Sequence, residues 1–319
     1  MRVAAGILPA VNHKIPMRCY NSRKSRRLPP HEINDPGLLR YSFTSPTELP
    51  GMTQQQSSVP VVMVFSGNDP SGGAGIQADI EALISHGCHT SPVVTTLTIQ
   101  DTQDVIGYTP LDGGLIIEQA RAVLEDMPVS VFKLGLLTST DAVQAVHSIL
   151  RDYPDIPVVM DPVLASGNGS MLADDDVVES MTELLLPQAT VLTPNSKEAR
   201  MLAPQADTLD ACAMALLEHG VEFVLITGTH ENTPTVNNTL YANNRVMETF
   251  TWDRLEGSFH GSGCTLAASI AGLLAQGMEP FSAIHEAQEY TWQSLSEAYR
   301  IGMGQQIPNR LFWARDNED

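Results

Sequence analysis

The sequence has few cysteines, no long apolar run and few basic residues. Its four cysteines contain no CxxC pair and no zinc-binding spacing, which argues against a structural metal site and favours free thiols over a disulfide framework; they are Cys19, Cys88, Cys212 and Cys264. No apolar segment approaches the roughly 18–20 residues that span a bilayer. The net charge of −19 disfavours binding to nucleic acid or to an anionic membrane surface. We therefore expect a cytoplasmic globular protein.

The charge is unevenly distributed along the chain. Residues 1–57 carry eight Lys or Arg and three Asp or Glu, whereas residues 58–319 carry ten and thirty-four. Prolines recur through the first segment, and hydrophobic periodicity is weak there, so we predict a disordered basic extension over 1–57 and one domain over 58–319. A targeting peptide is one explanation, although no apolar core followed by a cleavage site indicates secretion. An upstream start codon, with Met52 as the natural first residue, is the other.

Apolar runs and helix-period segments alternate from residue 59 onward. The runs have the length of strands buried on both faces and cover 61–65, 93–99, 129–134, 157–160, 190–192 and 223–226. Helices are predicted over 76–86, 115–124, 141–150, 175–186, 209–217, 263–276 and 280–299. A hairpin is predicted from 239–242 and 246–252. This alternation predicts an α/β fold with a mainly parallel sheet and helices on both faces.

A glycine-rich turn follows the first strand, at residues 66–75 (SGNDPSGGAG). Ligands of open α/β sheets bind at the carboxyl ends of the strands, and helix N-termini there offer free N–H groups. The turn therefore indicates a small-molecule or phosphate site, or else a tight connection that merely needs glycine. It matches neither the P-loop nor GxGxxG.

A second glycine-rich stretch, residues 260–265 (HGSGCT), opens a helix of small apolar residues. Gly261, Ser262 and Gly263 leave backbone N–H groups free to stabilise charge on a transferring phosphoryl group. Cys264 lies in the first helical turn, where the helix dipole is expected to lower the thiol pKa and suit it to act as a general base. The alternative is an inert packed thiol.

Two acidic residues follow central strands. Asp161 comes directly after the strand at 157–160, and Glu198 follows the strand at 190–192. Carboxylates at strand ends bind Mg²⁺, usually through water. The alternatives are a turn residue before proline for Asp161 and, for Glu198, the capping-box partner of Asn195.

Together these motifs resemble the ribokinase-like superfamily and, within it, the hydroxymethylpyrimidine/phosphomethylpyrimidine kinases of thiamine biosynthesis. The resemblance covers about 61–313 and is most specific at 67–79, 133–137, 161–163, 192–199 and 260–265. It implies a three-layer ribokinase-like fold with a small β flap. The segment 302–310 matches the family only loosely and lacks its histidines, and Thr227 stands where the family often has Lys.

The resemblance also implies a role for each site residue. Cys264 would be the catalytic base, and the backbone of Gly261, Ser262 and Gly263 would complete an anion hole with it. Asp161 and Glu198 would hold Mg²⁺ and order the triphosphate. The pyrimidine would contact Gly67, Asp79 and Gln100, in a pocket closed by Thr98, Leu136 and Val163. Thr227 and Gly228 would lie in the nucleotide region.

The function implied is ATP- and Mg²⁺-dependent phosphorylation of 4-amino-5-hydroxymethyl-2-methylpyrimidine and then of its monophosphate. The family also implies a homodimer that binds only small molecules. Two rivals remain open: a pyridoxal kinase on the same fold, and a non-catalytic pyrimidine sensor that keeps the pocket. The presence of Cys264, Asp161 and Glu198 together argues against the sensor.

Overall fold

A computed structural model describes residues 59–167 and 169–314, and the predicted extension 1–57 lies outside the described residues. The described chain forms nine strands: β1 (Val61–Asn68), β2 (His89–Gln100), β3 (Val105–Pro110), β4 (Val129–Leu134), β5 (Val158–Met160), β6 (Val191–Leu192), β7 (Phe223–Ile226), β8 (Thr235–Ala242) and β9 (Arg245–Asp253). Its eight α-helices are α1 (Gly75–Ser85), α2 (Gly113–Leu124), α3 (Thr140–Asp152), α4 (Asp175–Leu184), α5 (Ser196–Leu202), α6 (Leu209–Glu218), α7 (Ser262–Ala275) and α8 (Pro280–Ser296).

All nine strands join one sheet in the order β3-β2-β1-β4-β5-β6-β7-β8-β9. The six strands from β2 to β7 in this order run parallel, and β3, β8 and β9 pair antiparallel at the two edges. The predicted mainly parallel α/β sheet is thus confirmed. Because the central strands are parallel, their carboxyl ends and the loops after them meet at one edge of the sheet.

The sheet separates two hydrophobic cores. Along β1, Val62 and Val64 pack with α1, α7 and α8, whereas the intervening Met63 and Phe65 pack in the core that contains α2 to α6. A strand that is buried on both faces needs apolar side chains at every position, which explains its continuous apolar run. The three-layer arrangement that the resemblance implied is therefore present.

Local signals account for most helix boundaries. Ser139 caps α3 by accepting a hydrogen bond from the Ala142 N–H, and Asn195 and Glu198 form the predicted capping box of α5. The predicted hairpin is β8–β9, whose two-residue turn holds Asn243 and Asn244 at positive φ, as a primed turn requires. The last predicted helix ends earlier than expected, at Ser296.

Strand β3 was not predicted, and α5 was indicated only by its capping box. The edge strand β3 has mostly exposed side chains, so it lacks the apolar alternation that marks a strand. The helix α5 has only seven residues, too few for a clear helical period. Within the described part of the chain, no helix is long and apolar enough to cross a membrane.

Candidate active site

The N-terminus of α7 has the geometry of an anion hole. Gly261 is the N-cap residue, with a left-handed φ of 83°, and no described side chain caps the helix. The first α7 hydrogen bond joins the Thr265 N–H to the Gly261 carbonyl at 2.9 Å. The N–H groups of Ser262, Gly263 and Cys264 precede this bond and therefore have no acceptor within the helix. These donors, aligned with the helix dipole, can hold an anion.

The glycine turn, residues 72–75, packs directly against this helix start. A Cβ atom at Gly261 would collide with the Gly73 carbonyl oxygen, so only glycine permits this approach of the two backbones. The Gly75 N–H lies within hydrogen-bonding reach of the Cys264 thiol. The two glycine-rich motifs singled out from the sequence therefore form one site.

Cys264 contacts Asp161, but its thiol is not the low-pKa group expected. The Asp161 carboxylate lies beside the thiol, close enough for each group to influence the pKa of the other. Burial, together with the nearby charges of Asp161 and Asp79, raises the pKa of Cys264 to about 12, although Lys133 acts in the opposite direction. The expectation of a lowered pKa was wrong because desolvation of the thiolate outweighs the helix dipole.

Asp161 and Glu198 form a second cluster beside the helix start. A Cβ at Gly263 would lie 3.3 Å from an Asp161 carboxylate oxygen, which places this carboxylate against the anion hole. Burial, opposed by Lys133, raises the pKa of Asp161 to about 6. Burial and then repulsion by Asp161 raise the pKa of Glu198 to about 8.

These two carboxylates fit a Mg²⁺ site of the kind bound with a triphosphate. Their mutual repulsion is what a cation would relieve, and Mg²⁺ bound through one or two carboxylates keeps most of its water and phosphate ligands. Among the described residues no group of three or more His, Cys, Asp or Glu could hold a metal ion. One Glu198 oxygen also accepts the Asn195 N–H at 2.9 Å, so the capping-box interpretation is correct for this residue.

The predicted pyrimidine-binding residues cluster at the ends of β1 and β2. Thr98 Oγ1 donates to the Asn68 carbonyl at 2.7 Å, and Gln100 Nε2 donates to Thr98 Oγ1 at 2.7 Å. A Cβ at Gly67 would lie 3.0 Å from Leu136 Cδ2. Val163 lies apart from these residues, in the loop after β5, where its N–H donates to the Asp161 carbonyl at 2.9 Å.

Asp79 lies deeper than these residues. Its side chain is fully buried and forms an ion pair with the equally buried Lys133, whose Nζ is 2.8 Å from Asp79 Oδ1. Burial alone would lower the pKa of Lys133. The negative charges of Asp79, Cys264 and Asp161 outweigh this effect, so the pKa of Lys133 is raised. No role was predicted for Lys133, although a single lysine inside an apolar strand indicates a buried ionic partner.

Thr227 and Gly228 follow β7 and adjoin the start of α5. The Thr227 N–H donates to the Pro194 carbonyl at 2.9 Å, and the Thr227 carbonyl accepts the Ser196 N–H at 3.1 Å. The Gly228 N–H donates to Asn238 Oδ1 at 3.0 Å. The predicted nucleotide region therefore lies next to the helix that carries Glu198.

His260 and Asp69 form a hydrogen-bonded pair that the sequence did not predict. His260 Nε2 is 2.8 Å from Asp69 Oδ2, and the same carboxylate accepts the N–H groups of Ser71 and Ala74, each at 2.8 Å. Burial alone would raise the pKa of Asp69, but the hydrogen bonds from His260 and Ser71 lower it. This pair joins the loop that ends in the glycine turn to the residue before the anion hole.

Comparison with known proteins identifies the family. The phosphomethylpyrimidine kinase family matches residues 69–309. The chain is 30% identical over 261 residues to the hydroxymethylpyrimidine/phosphomethylpyrimidine kinase of Staphylococcus aureus (strain MSSA476), covering 80% of this chain and 95% of that one. It is 34% identical over 264 residues to the chloroplastic thiamine biosynthetic bifunctional enzyme TH1 of Arabidopsis thaliana, covering 80% of this chain and only 51% of that relative.

Solved structures agree with the fold. An ADP complex of Bacillus subtilis pyridoxal kinase superposes with a TM-score of 0.72 at 25% identity, covering 79% of this chain and 98% of that one. Phosphomethylpyrimidine kinase from Clostridium difficile 630 superposes with a TM-score of 0.65 at 28% identity, covering 74% and 99%. The ribokinase-like fold and a phosphotransferase function in thiamine biosynthesis, both expected from the sequence, are confirmed by these relatives, and the chain belongs to the phosphomethylpyrimidine kinase family.

Proposed function

We propose that this kinase uses ATP and Mg²⁺ to phosphorylate 4-amino-5-hydroxymethyl-2-methylpyrimidine, and then phosphorylates the monophosphate to the diphosphate. The observation that carries the proposal is the meeting of Cys264, Asp161 and the glycine turn at the N-terminus of α7. In-line transfer needs a base and an anion hole close to the phosphoryl acceptor, and the proximity of Cys264 to the start of α7 supports this assignment.

Cys264 would take the proton of the substrate hydroxyl while the oxygen–phosphorus bond forms. The thiol has to lose its own proton first, and the neighbouring Asp161 carboxylate would accept it. A thiolate with a high pKa is a strong base, and the positive charge of Lys133 stabilises it. The free N–H groups at 262–264 would stabilise the charge that spreads over the transferring phosphoryl group.

Asp161 and Glu198 would hold Mg²⁺, in part through water, because Glu198 already accepts the Asn195 N–H. The ion would neutralise charge on the triphosphate. Thr227 and Gly228 would face the nucleotide from the neighbouring strand end. Since Thr227 carries no charge, phosphate binding there rests on the metal and on backbone N–H groups.

The acceptor would lie among Gly67, Thr98, Gln100, Leu136 and Val163. The Gln100 amide offers both a donor and an acceptor, as an aminopyrimidine requires. Asp79 is the carboxylate suited to the ring's amino group, and a ligand that reaches it would share it with Lys133.

Pyridoxal is the second candidate acceptor, because pyridoxal kinases are among the structural neighbours at 25% identity. A time course with ATP and either acceptor, following mono- and diphosphate products by mass spectrometry, tests the proposal. We expect pyrimidine monophosphate to appear first and diphosphate to follow. Turnover of pyridoxal without turnover of the pyrimidine would overturn the assignment of the acceptor, and accumulation of monophosphate alone would overturn the second step.

A further inference from the structure

The C-terminal segment, residues 301–310, runs from the acceptor side of the site to the helix start. The Gln305 N–H donates to the Thr102 carbonyl at 2.7 Å, beyond the end of β2. The Gln306 carbonyl then accepts the His260 N–H at 2.8 Å, one residue before the anion hole. The segment ends on Arg310, whose guanidinium is fully buried.

The three donor nitrogens of Arg310 bind three different elements. Nε donates to Thr265 Oγ1 in the first turn of α7 at 2.8 Å, and Nη1 pairs with Glu81 Oε2 of α1 at 3.0 Å. Nη2 donates to the Gly73 carbonyl in the glycine turn. Because an arginine fork fixes direction as well as distance, these bonds determine where the turn lies relative to α7.

A hydrogen-bond relay continues from Arg310 to the N-cap. Thr265 Oγ1, which accepts from Arg310, donates to the Gly261 carbonyl at 2.8 Å. A Cβ at Gly261 would lie 2.8 Å from Arg310 Nη2, so the guanidinium lies directly beneath the anion hole. Arg310 thus contacts both backbones that meet around Cys264.

The backbone of the C-terminal segment has anchors of its own, separate from the guanidinium. The Arg310 carbonyl already accepts hydrogen bonds from Ser85 Oγ and Tyr290 Oη, each at 2.7 Å. The side chain, by contrast, bonds to groups at the active site. Burying a charge this completely is costly unless an ion pair and hydrogen bonds compensate for it, and two of the three compensating partners lie in the glycine turn and the first turn of α7.

We propose that Arg310 is a positioning residue, which holds the glycine turn against the first turn of α7 and so fixes the anion hole around Cys264. The proposal rests on the proposed kinase function of this site. Misplacing catalytic groups by about 1 Å can lower turnover roughly 100-fold, so disturbing Arg310 should act on catalysis more than on substrate binding.

The test compares Thr265→Val and Arg310→Lys with a matched control, Thr291→Val. Thr291 is also buried, and its hydroxyl donates to the carbonyl four residues earlier, Ala287, at 2.7 Å, but it lies on α8. Below the melting temperature of each variant, we expect Thr265→Val and Arg310→Lys to lower kcat about tenfold or more. The KM values for ATP and acceptor should change little, and the control should match the wild type.

Hydrogen–deuterium exchange supplies a readout that does not depend on activity. We expect faster exchange in peptides covering 72–76 and 261–266 for both variants and not for Thr291→Val. If the two variants match the control in kcat and in exchange of these peptides, and lose only thermal stability, Arg310 is a structural anchor and the proposal is wrong. If the wild type phosphorylates neither acceptor, the proposed function fails, while exchange still decides the role of Arg310.

Discussion

At the scale of single residues, the proposed mechanism depends most on Cys264. We expect Cys264→Ala to lower turnover about 10²- to 10⁴-fold, the usual contribution of a general base, while the pyrimidine still binds. Steady-state kinetics and calorimetric titration with the pyrimidine measure the two effects. Cys212→Ala is the control, because Cys212 is a buried thiol on α6, a helix that contributes none of the predicted site residues. Unchanged turnover in Cys264→Ala would remove this thiol from the base role.

Residues of this kind can be proposed from the sequence, but their environment cannot. Cys264, Asp161 and Gly67 stand in local motifs, and strand ends bring such motifs together in any parallel sheet. The thiol pKa was misjudged because it depends on burial by the folded chain and on the charges of residues from other parts of the sequence, such as Asp161 and Lys133. Arg310 was passed over for the same reason: its partners Gly73 and Glu81 are more than 200 residues away.

At the scale of elements, a half-buried histidine lies where α1 contacts α7 and α8. His86, the C-cap residue of α1, hydrogen-bonds to Ser269 Oγ at 2.6 Å and packs against the Tyr290 ring, with centroids 4.6 Å apart. Burial lowers the pKa of His86 to about 4, from 6.5. The folded state therefore binds fewer protons at this residue than the unfolded state between these pH values, and stability falls as pH drops below 6.5.

We expect His86 to make the protein about 1 kcal/mol less stable at pH 5.5 than at pH 7. Urea unfolding at the two pH values measures this difference, and His86→Gln should remove it. His219→Gln is the matched control, because His219 is the C-cap residue of α6 and is exposed. An equal pH dependence in wild type and His86→Gln would show that His86 does not carry the effect.

Elements were predictable where one periodicity dominated. The continuous apolar run of β1 and the amphipathic pattern of α3 are local sequence signals, and both elements were located to within a few positions. Strand β3 was not predicted because it is defined by its pairing with β2 and not by a pattern in its own residues. The end of α8 was misplaced because Tyr299 pairs with Ile307 of the C-terminal segment. The residues around Tyr299 do not indicate this contact.

At the scale of the whole molecule, the basic extension contributes no residue to the proposed site, which lies between Gly67 and Arg310. We expect deletion of residues 1–51, leaving Met52 as the first residue, to leave kcat and KM within about twofold of the full chain. The acidic charge of the remaining domain gives its anionic substrates no long-range attraction, so capture rests on Mg²⁺ and helix N-termini. A large loss of activity on deletion would mean that the extension supplies part of the working enzyme.

The oligomeric state should depend on the ribbon formed by the end of β2 and β3. Ile99 is 63% exposed and Ile106 76% exposed, and β3 is the last strand on its side of the sheet. An apolar edge strand with unpaired backbone groups favours pairing with another chain, and two identical edges related by a twofold axis satisfy each other. We therefore expect a homodimer that is joined through this ribbon.

Ile106→Glu should convert the dimer to a monomer, because it places a charge in the apolar contact, and light scattering after size-exclusion chromatography measures the mass. Val246→Glu is the matched control: Val246 is 48% exposed on β9, the last strand at the opposite edge. It should leave the dimer intact. Since the same ribbon carries Thr98 and Gln100, the monomer should also bind the acceptor more weakly, with a raised KM. A monomeric wild type, or an Ile106→Glu variant that remains dimeric, would contradict an interface at this edge.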